Sequence, residues 1–201
     1  MPKPPDPRTA GLVLAAGASR RLGRPKQLLP YAGGTVLDAV LQTVRRCGFD
    51  QLLLALGSAG EEVRRQVDTS GFELADNPDF GSGCSSSIAA ALPALHPGIE
   101  LLVLLLGDQP GIRAESVRLL LAGRGDAPLA VCRYEDGIGH PFAFARGVFD
   151  DLAALHGDKG VWKMLDRRAD EVAEVPVPGG IPPDIDTEAD YEQALARLRS
   201  A

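Results

Sequence analysis

Leu101-Leu102-Val103-Leu104-Leu105-Leu106-Gly107-Asp108-Gln109-Pro110 is apolar at six successive positions and then breaks at once into glycine, carboxylate, amide and proline. A strand with one wet face alternates apolar and polar residues. A strand that is apolar throughout is covered on both faces, as in the centre of a parallel sheet. Asp108 then follows the carboxyl end of that strand, which is where open α/β sheets bind their ligands.

Working outward, short apolar runs alternate with segments of helical period. Gly11–Ala15, Gln51–Leu56, Phe72–Ala75 and Leu129–Cys132 read as further strands, and Val36–Arg46, Glu61–Val67, Ser85–Leu95 and Ala114–Leu121 as helices. Strands separated by helices of this length make βαβ units, so the expected fold class is α/β, a three-layer α/β/α sandwich with a mainly parallel central sheet. The last third is less regular. Ile138–Ala145 reads as a strand outside the parallel order, Val148–Leu155 and Lys159–Asp166 as helices, and Val172–Val175 as a short strand. Glu188–Leu198 is expected to close the chain as a helix.

A chain of 201 residues is long enough for one domain with its own core, and no internal repeat or linker divides it. The opening nine residues hold four prolines and are expected to form a tail, leaving residues 10–201 as a single domain. A formal charge of −6 argues against a surface that wraps nucleic acid. The longest apolar run is too short to cross a bilayer, and the first residues lack the apolar core of a signal peptide, so a cytoplasmic location is expected. Cys47, Cys84 and Cys132 are odd in number and form no CxxC pair, which points to reduced thiols rather than a disulfide or zinc framework.

Chemistry concentrates in a few short segments. Leu14-Ala15-Ala16-Gly17-Ala18-Ser19 follows the first strand, with Arg20, Arg21, Arg24 and Lys26 close behind. Small residues let backbone N–H groups approach an anion while the cations hold charge nearby; the plainer reading is a small-residue turn with solvated arginines. The segment is neither a Walker A loop nor a GxGxxG fingerprint. Asp108 and Asp186 can meet at one end of the sheet, where two carboxylates beside a triphosphate suit octahedral Mg2+. A turn-forming role for Asp108 and a helix cap for Asp186 stand against this.

Asn77-Pro78 and Gly83-Cys84-Ser85-Ser86-Ser87 bring an amide and three hydroxyls to a helix start, suited to a ribose, a base edge or a phosphate, or simply to capping. Cys84 beside this loop reads as an inert small side chain more readily than as a reactive thiol. Gly139-His140-Pro141 and Gly157-Asp158-Lys159-Gly160 are turn-like, with His140 either a ligand and proton shuttle or a structural imidazole. Trp162, Met164 and Leu165 read as packing.

Together these segments resemble the MobA-like nucleotidyltransferases, and among them the molybdenum cofactor cytidylyltransferases. Leu14 to Lys26 matches LAAGxSxRxGxxK, with Leu28-Leu29-Pro30 and Gly33-Gly34 following. Asn77-Pro78 and Gly83–Ser87 match NP…GxSSS, and Gly107–Pro110 matches GDQP. Gly139–Pro141, Gly157–Gly160 and Asp184–Tyr191 match GHP, GDKG and DIDTxxDY. Leu22 and Cys84 stand where methionine is usual. Ala15-Ala16-Gly17 departs from the LAGG of the related guanylyltransferases.

The resemblance implies a Rossmann-like fold of the GT-A type and transfer of CMP from CTP to molybdenum-loaded molybdopterin, with release of pyrophosphate. It implies that Lys26, Arg21 and Asp108 are catalytic, that Leu14, Ala15, Ala16, Gly17, Lys26, Asn77, Ser86 and Ser87 bind the nucleotide, and that Asp108 and Asp186 bind Mg2+ or Mn2+. His140, Asp158 and Lys159 would lie on the acceptor side. A recipient molybdoenzyme of the xanthine dehydrogenase type would be the downstream partner. The alternatives are a guanylyltransferase or another nucleotidyltransferase of the same fold and, further off, a non-catalytic carrier of the cofactor.

Overall fold

The computed structural model describes residues 8–19 and 21–199. The tail expected at the first residues and the Arg20 cation fall, for residues 1–7 and 20, outside that range. The strands are β1 (Thr9–Ala15), β2 (Pro30–Tyr31), β3 (Gly34–Thr35), β4 (Gln51–Leu56), β5 (Glu73–Asp76), β6 (Leu101–Leu106), β7 (Leu129–Tyr134), β8 (Gly137–Ala145) and β9 (Val172–Pro176). The helices are α1 (Val36–Arg45), α2 (Gly60–Gln66), α3 (Cys84–Ala91), α4 (Ala114–Gly123), α5 (Phe149–Ala153), α6 (Gly160–Arg167) and α7 (Glu188–Arg199).

Seven strands form one sheet in the order β5-β4-β1-β6-β8-β7-β9, and β2 and β3 make a separate small hairpin. Every pairing in the large sheet is parallel except the two made by β8, which runs antiparallel between β6 and β7. The order reverses direction between β1 and β6, so their carboxyl ends flank the switch point, with Leu14 opposite Leu106.

The pleat sorts the core. Val13, Leu101, Val103 and Leu105 face a layer containing α1, α2 and α4, whereas Leu12, Leu14, Leu102 and Leu104 face α3, α5 and α6. This is the three-layer α/β sandwich that the unbroken apolar run Leu101–Leu106 demanded. A third cluster, Leu29, Val36, Ile185, Tyr191 and Ala194, fastens α7 beside the small hairpin.

Several boundaries differ from the sequence reading. The fold reaches into the expected tail: Thr9 begins β1, and the Arg8 carbonyl accepts from Glu100 N and Leu101 N. The helix expected over Ser85–Leu95 ends at Ala91 and continues as a 3-10 turn over Leu92–Ala94, because Pro93 lacks the N–H an α-helix needs. The hairpin of β2 and β3 was not expected as strand; its turn uses Ala32 and Gly33 at φ of 51° and 83°.

Leu104 is 1% exposed in the central strand, between β1 and β8. Leu104→Ala is expected to cost about 2–5 kcal/mol in urea unfolding, through the cavity it leaves. A loss below about 1 kcal/mol would contradict this packing.

Candidate functional site

The turn after β1 is built by hydrogen bonds to its own backbone. Gln27, 1% exposed, donates Nε2 to the carbonyls of Ala15 at 2.9 Å and Gly17 at 3.2 Å. Ser19, at φ 50°, accepts the Lys26 N–H on Oγ at 3.0 Å, and its carbonyl accepts from Leu22 N and Gly23 N. The turn is also pressed from below: a Cβ on Gly57 would lie 2.5 Å from the Ala16 carbonyl oxygen, so only glycine fits there.

These contacts deliver Lys26 to the switch point. Its ammonium pairs with Asp108 Oδ2, just past β6, and donates to Asp186 Oδ1 at 2.7 Å. Arg21 reaches the other oxygen of Asp186 at 2.5 Å, and Arg24 pairs with Glu188 at 2.8 Å. The turn is therefore tied to the approach and the first residue of α7 by two ion pairs in addition to the lysine.

Asp186 is free for this because it does not cap the helix. Thr187 Oγ1 accepts from Asp190 N at 3.2 Å, while Asp190 Oδ2 accepts from Thr187 N at 2.7 Å, a reciprocal capping box. The cap reading of Asp186 gives way to Thr187. Asp108, too, is more than a turn residue: its Oδ2 meets Lys26 and its carbonyl accepts from Ile185 N at 3.1 Å.

Burial opposes the Lys26 charge, yet Asp108 and Asp186 outweigh it and hold the ammonium above its ordinary pKa. Burial likewise pushes Asp186 up, and Lys26 and Arg21 overcome it, leaving the carboxyl below its usual value. Asp184, two residues away, is raised by desolvation and by the charge of Asp108.

The trio opens into a cleft of about 410 Å3, lined by Leu14, the turn residues 16–19, Gly83, Ser87, Gly107 and Asp158 among others. Leu14, Ala16, Gly17, Arg21, Lys26, Ser87, Asp108 and Asp186 all reach it. Asn77, Ser86 and Ala15 do not line this cleft. Asn77, 4% exposed, donates to Ser86 Oγ at 2.8 Å and Ser87 Oγ at 2.9 Å, and Ser86 donates on to backbone carbonyls, so these residues orient the start of α3.

The Gly157–Gly160 turn packs on the same helix start. Asp158 Oδ1 accepts from Cys84 N at 3.0 Å, and Ser85 Oγ donates to the Gly157 carbonyl at 2.6 Å. Asp158 lines the cleft; Lys159 is exposed and lines neither the cleft nor the cavity beside it. His140 stacks on Phe142 at 4.1 Å, and burial pushes its pKa down to about 3, which favours the neutral imidazole near pH 7. Burial raises Cys84 to about 11, leaving a thiol. Trp162 is 37% exposed, unlike the buried Met164 and Leu165 with which the sequence grouped it.

Sequence reasoning missed Gln27 and Ser19 as the residues that shape the turn, and Gln109, 3% exposed, which donates to Pro182 O and Asp184. A glutamine directly after the lysine and another directly after the carboxylate were the available signals.

Asp108 Oδ1 is buried and accepts no hydrogen bond among the described residues. With Asp186 on the same ammonium, the pair fits a divalent ion that takes two carboxylates and completes its shell from a substrate and water, as Mg2+ does. Among the described residues no cluster of three or more His, Cys, Asp or Glu side chains forms a fuller protein cage.

Cations and carboxylates converging under a small-residue turn, at the switch point of a Rossmann-like sheet, define a site of the nucleotidyltransferase class. The chain belongs to the MobA-like NTP transferase domain family, whose model matches residues 11–172. It is 32% identical over 168 residues to nicotine blue oxidoreductase of Paenarthrobacter nicotinovorans, covering 79% of this chain and 82% of that one. It is 31% identical over 138 residues to molybdenum cofactor cytidylyltransferase of Escherichia coli (strain K12), covering 67% and 69%. Rv0371c of Mycobacterium tuberculosis H37Rv, solved in complex with manganese, superposes with a TM-score of 0.83 at 42% identity, covering 94% of this chain and 98% of that one.

The trio has a defined pH window. Asp186 has a folded pKa below its unfolded value, so its contribution is present above the ordinary carboxylate range and is lost as pH falls through the folded pKa. Lys26, raised, contributes below its ordinary value of 10.5 and loses the contribution as pH rises through its folded pKa. Urea midpoints of the wild type and Asp186→Asn are expected to differ at pH 7 and to draw together as pH falls below the ordinary carboxylate range. A difference that persists at acid pH would contradict the ion pairing.

Proposed function

We propose that this protein transfers CMP from CTP to the terminal phosphate of molybdenum-loaded molybdopterin and releases pyrophosphate. The single observation that carries the reading is the Lys26 ammonium held between Asp108 and Asp186 at the mouth of the cleft. The choice of cytidine and of the pterin acceptor is supported by the six ordered motifs and by the cytidylyltransferase relative. The catalytic domain is one unit that starts at Arg8 and Thr9, where β1 joins the sheet, rather than at residue 10.

The turn Leu14–Gly17 and Ser87 hold the nucleotide, while Asn77 and Ser86 orient that helix start. Arg21 and Lys26 draw the triphosphate charge onto the cleft. Asp108 and Asp186 would hold Mg2+, or Mn2+ as its substitute, which when bound would neutralise phosphate charge. An acceptor phosphate oxygen attacks the α-phosphorus; the bond to the β-phosphate oxygen breaks, and its electron pair leaves with pyrophosphate. Lys26 and Arg21 stabilise the charge that gathers on the departing oxygens, and the rigid turn fixes the line of attack. No protein nucleophile enters. His140 and Asp158 stand on the acceptor side, His140 as a neutral wall; Lys159 guides the acceptor from outside.

The product passes to a recipient molybdoenzyme of the xanthine dehydrogenase type. CTP supply and the free Cys47, Cys84 and Cys132 support a cytoplasmic setting, and among the described residues no helix is long and apolar enough to cross a membrane.

Pyrophosphate release is the test, with CTP or GTP, Mg2+ and molybdenum-loaded molybdopterin. CTP-selective release is expected, with Lys26→Ala and Asp108→Ala each losing about 100-fold or more in kcat while retaining the native circular dichroism. GTP-selective release would move the base assignment to a guanylyltransferase. Release from neither would contradict this reaction and point to another acceptor or to the carrier, whereas near-normal turnover in both variants would contradict the assignment of Lys26 and Asp108 to the site.

A further inference from the structure

A second cavity, of about 260 Å3, opens beside the cleft and shares Cys84, Leu106 and Asp158 with it. The two differ in charge. The cleft sets Arg21 and Lys26 among the carboxylates Asp108, Asp158 and Asp186, whereas the side cavity is lined by the carboxylates of Asp158 and Asp184 and, among the described residues, by no lysine or arginine. Its walls include His140, Trp162, Leu104 and Ile181. The aromatic walls are braced by one ring: His140 stacks on Phe142, and Trp162 meets it edge-on at 5.2 Å.

One acid here is held in place. Gln109 is 3% exposed and donates Nε2 to the Pro182 carbonyl at 2.9 Å and to Asp184 Oδ1 at 2.7 Å. Both partners are acceptors, so the amide has one orientation; turned over, its oxygen would face two other oxygens. That leaves Gln109 Oε1 buried without a partner and Asp184 Oδ2 with no hydrogen bond among the described residues. Asp184 itself is exposed at the cavity rim, where a ligand can reach it.

An apolar and aromatic cavity with a fixed carboxylate at its edge suits a flat heterocycle that presents adjacent N–H and NH2 donors, because a carboxylate accepts two parallel N–H bonds. A phosphate on the same molecule would reach Arg21 and Lys26 in the cleft next door. We propose that the side cavity binds the ring end of the acceptor, with Asp184 as the specificity-determining residue that reads its aminopyrimidine edge and Gln109 as the positioning residue that sets the carboxylate. This deepens the transferase reading and rests on it for the identity of the acceptor.

The sequence contains one tryptophan, Trp162, so its fluorescence reports on this cavity. The probes are 6-hydroxymethylpterin and 6-hydroxymethyllumazine, which carries a carbonyl where the pterin has its 2-amino group. In the wild type the pterin is expected to quench Trp162 and to bind about tenfold or more tighter than the lumazine, the scale of a lost hydrogen bond to a charged group. Asp184→Asn is expected to bring the two affinities together, and Gln109→Leu to shrink the ratio severalfold, a discrimination that loss of fold would not alter selectively.

Equal affinities in the wild type, or a preference retained in Asp184→Asn, would overturn the inference. The two readings fail separately. A pterin preference with no nucleotide turnover contradicts the transferase reading alone, whereas CTP turnover with no discrimination at Trp162 contradicts this one alone.

Discussion

A lysine ammonium withdrawn from water has to be paired, and the ends of this sheet are arranged around that requirement. Lys26 is 9% exposed, and its two partners come from segments nearly eighty residues apart in the chain. An unpaired buried charge costs several kcal/mol, so the turn after β1, the end of β6 and the approach to α7 are bound to one another through a single cation. The arrangement stores a function as well. The ion pairs that join these segments are the groups for which a triphosphate and a divalent ion would compete.

The neighbouring structure serves this constraint. Gln27 and Ser19 shape the turn so that Lys26 points inward, and Gly57 leaves room for the Ala16 carbonyl. Thr187 and Asp190 cap α7 between them and release Asp186 to the site. On the other side, the Gly157–Gly160 turn buttresses the start of α3, and the buried Gln109 holds Asp184 at the side cavity. A cleft that holds two cations among carboxylates and a cavity that holds carboxylates alone thus sit side by side on rigid supports.

The parts of this legible in the sequence were those with a local signature. Leu101–Leu106 announced a strand covered on both faces, and the motifs around Lys26 and Asp108 marked the carboxyl end of the sheet. The antiparallel β8 could be seen as irregular, but its place between β6 and β7 is a long-range pairing that no local pattern encodes. Asp186 looked like a cap because Asp, Thr and Glu before a helix are ordinary capping chemistry; choosing between Asp186 and Thr187 requires the Asp190 contact. Asn77 and Ser86 carried the right groups for a ligand but spend them on one another and on the backbone, a distinction set by side-chain direction rather than by composition. Lys159 belongs to a recognisable motif, yet what that motif does in the fold is done by Gly157 and Asp158.

The most direct test is a crystal structure with a non-hydrolysable CTP analogue and Mn2+, with the metal located by its anomalous signal. The expected result is Mn2+ held by Asp108 and Asp186, with Lys26 Nζ transferred from the carboxylates to a phosphate oxygen of the analogue. An analogue bound elsewhere, with Lys26 still bridging the two carboxylates, would contradict the account.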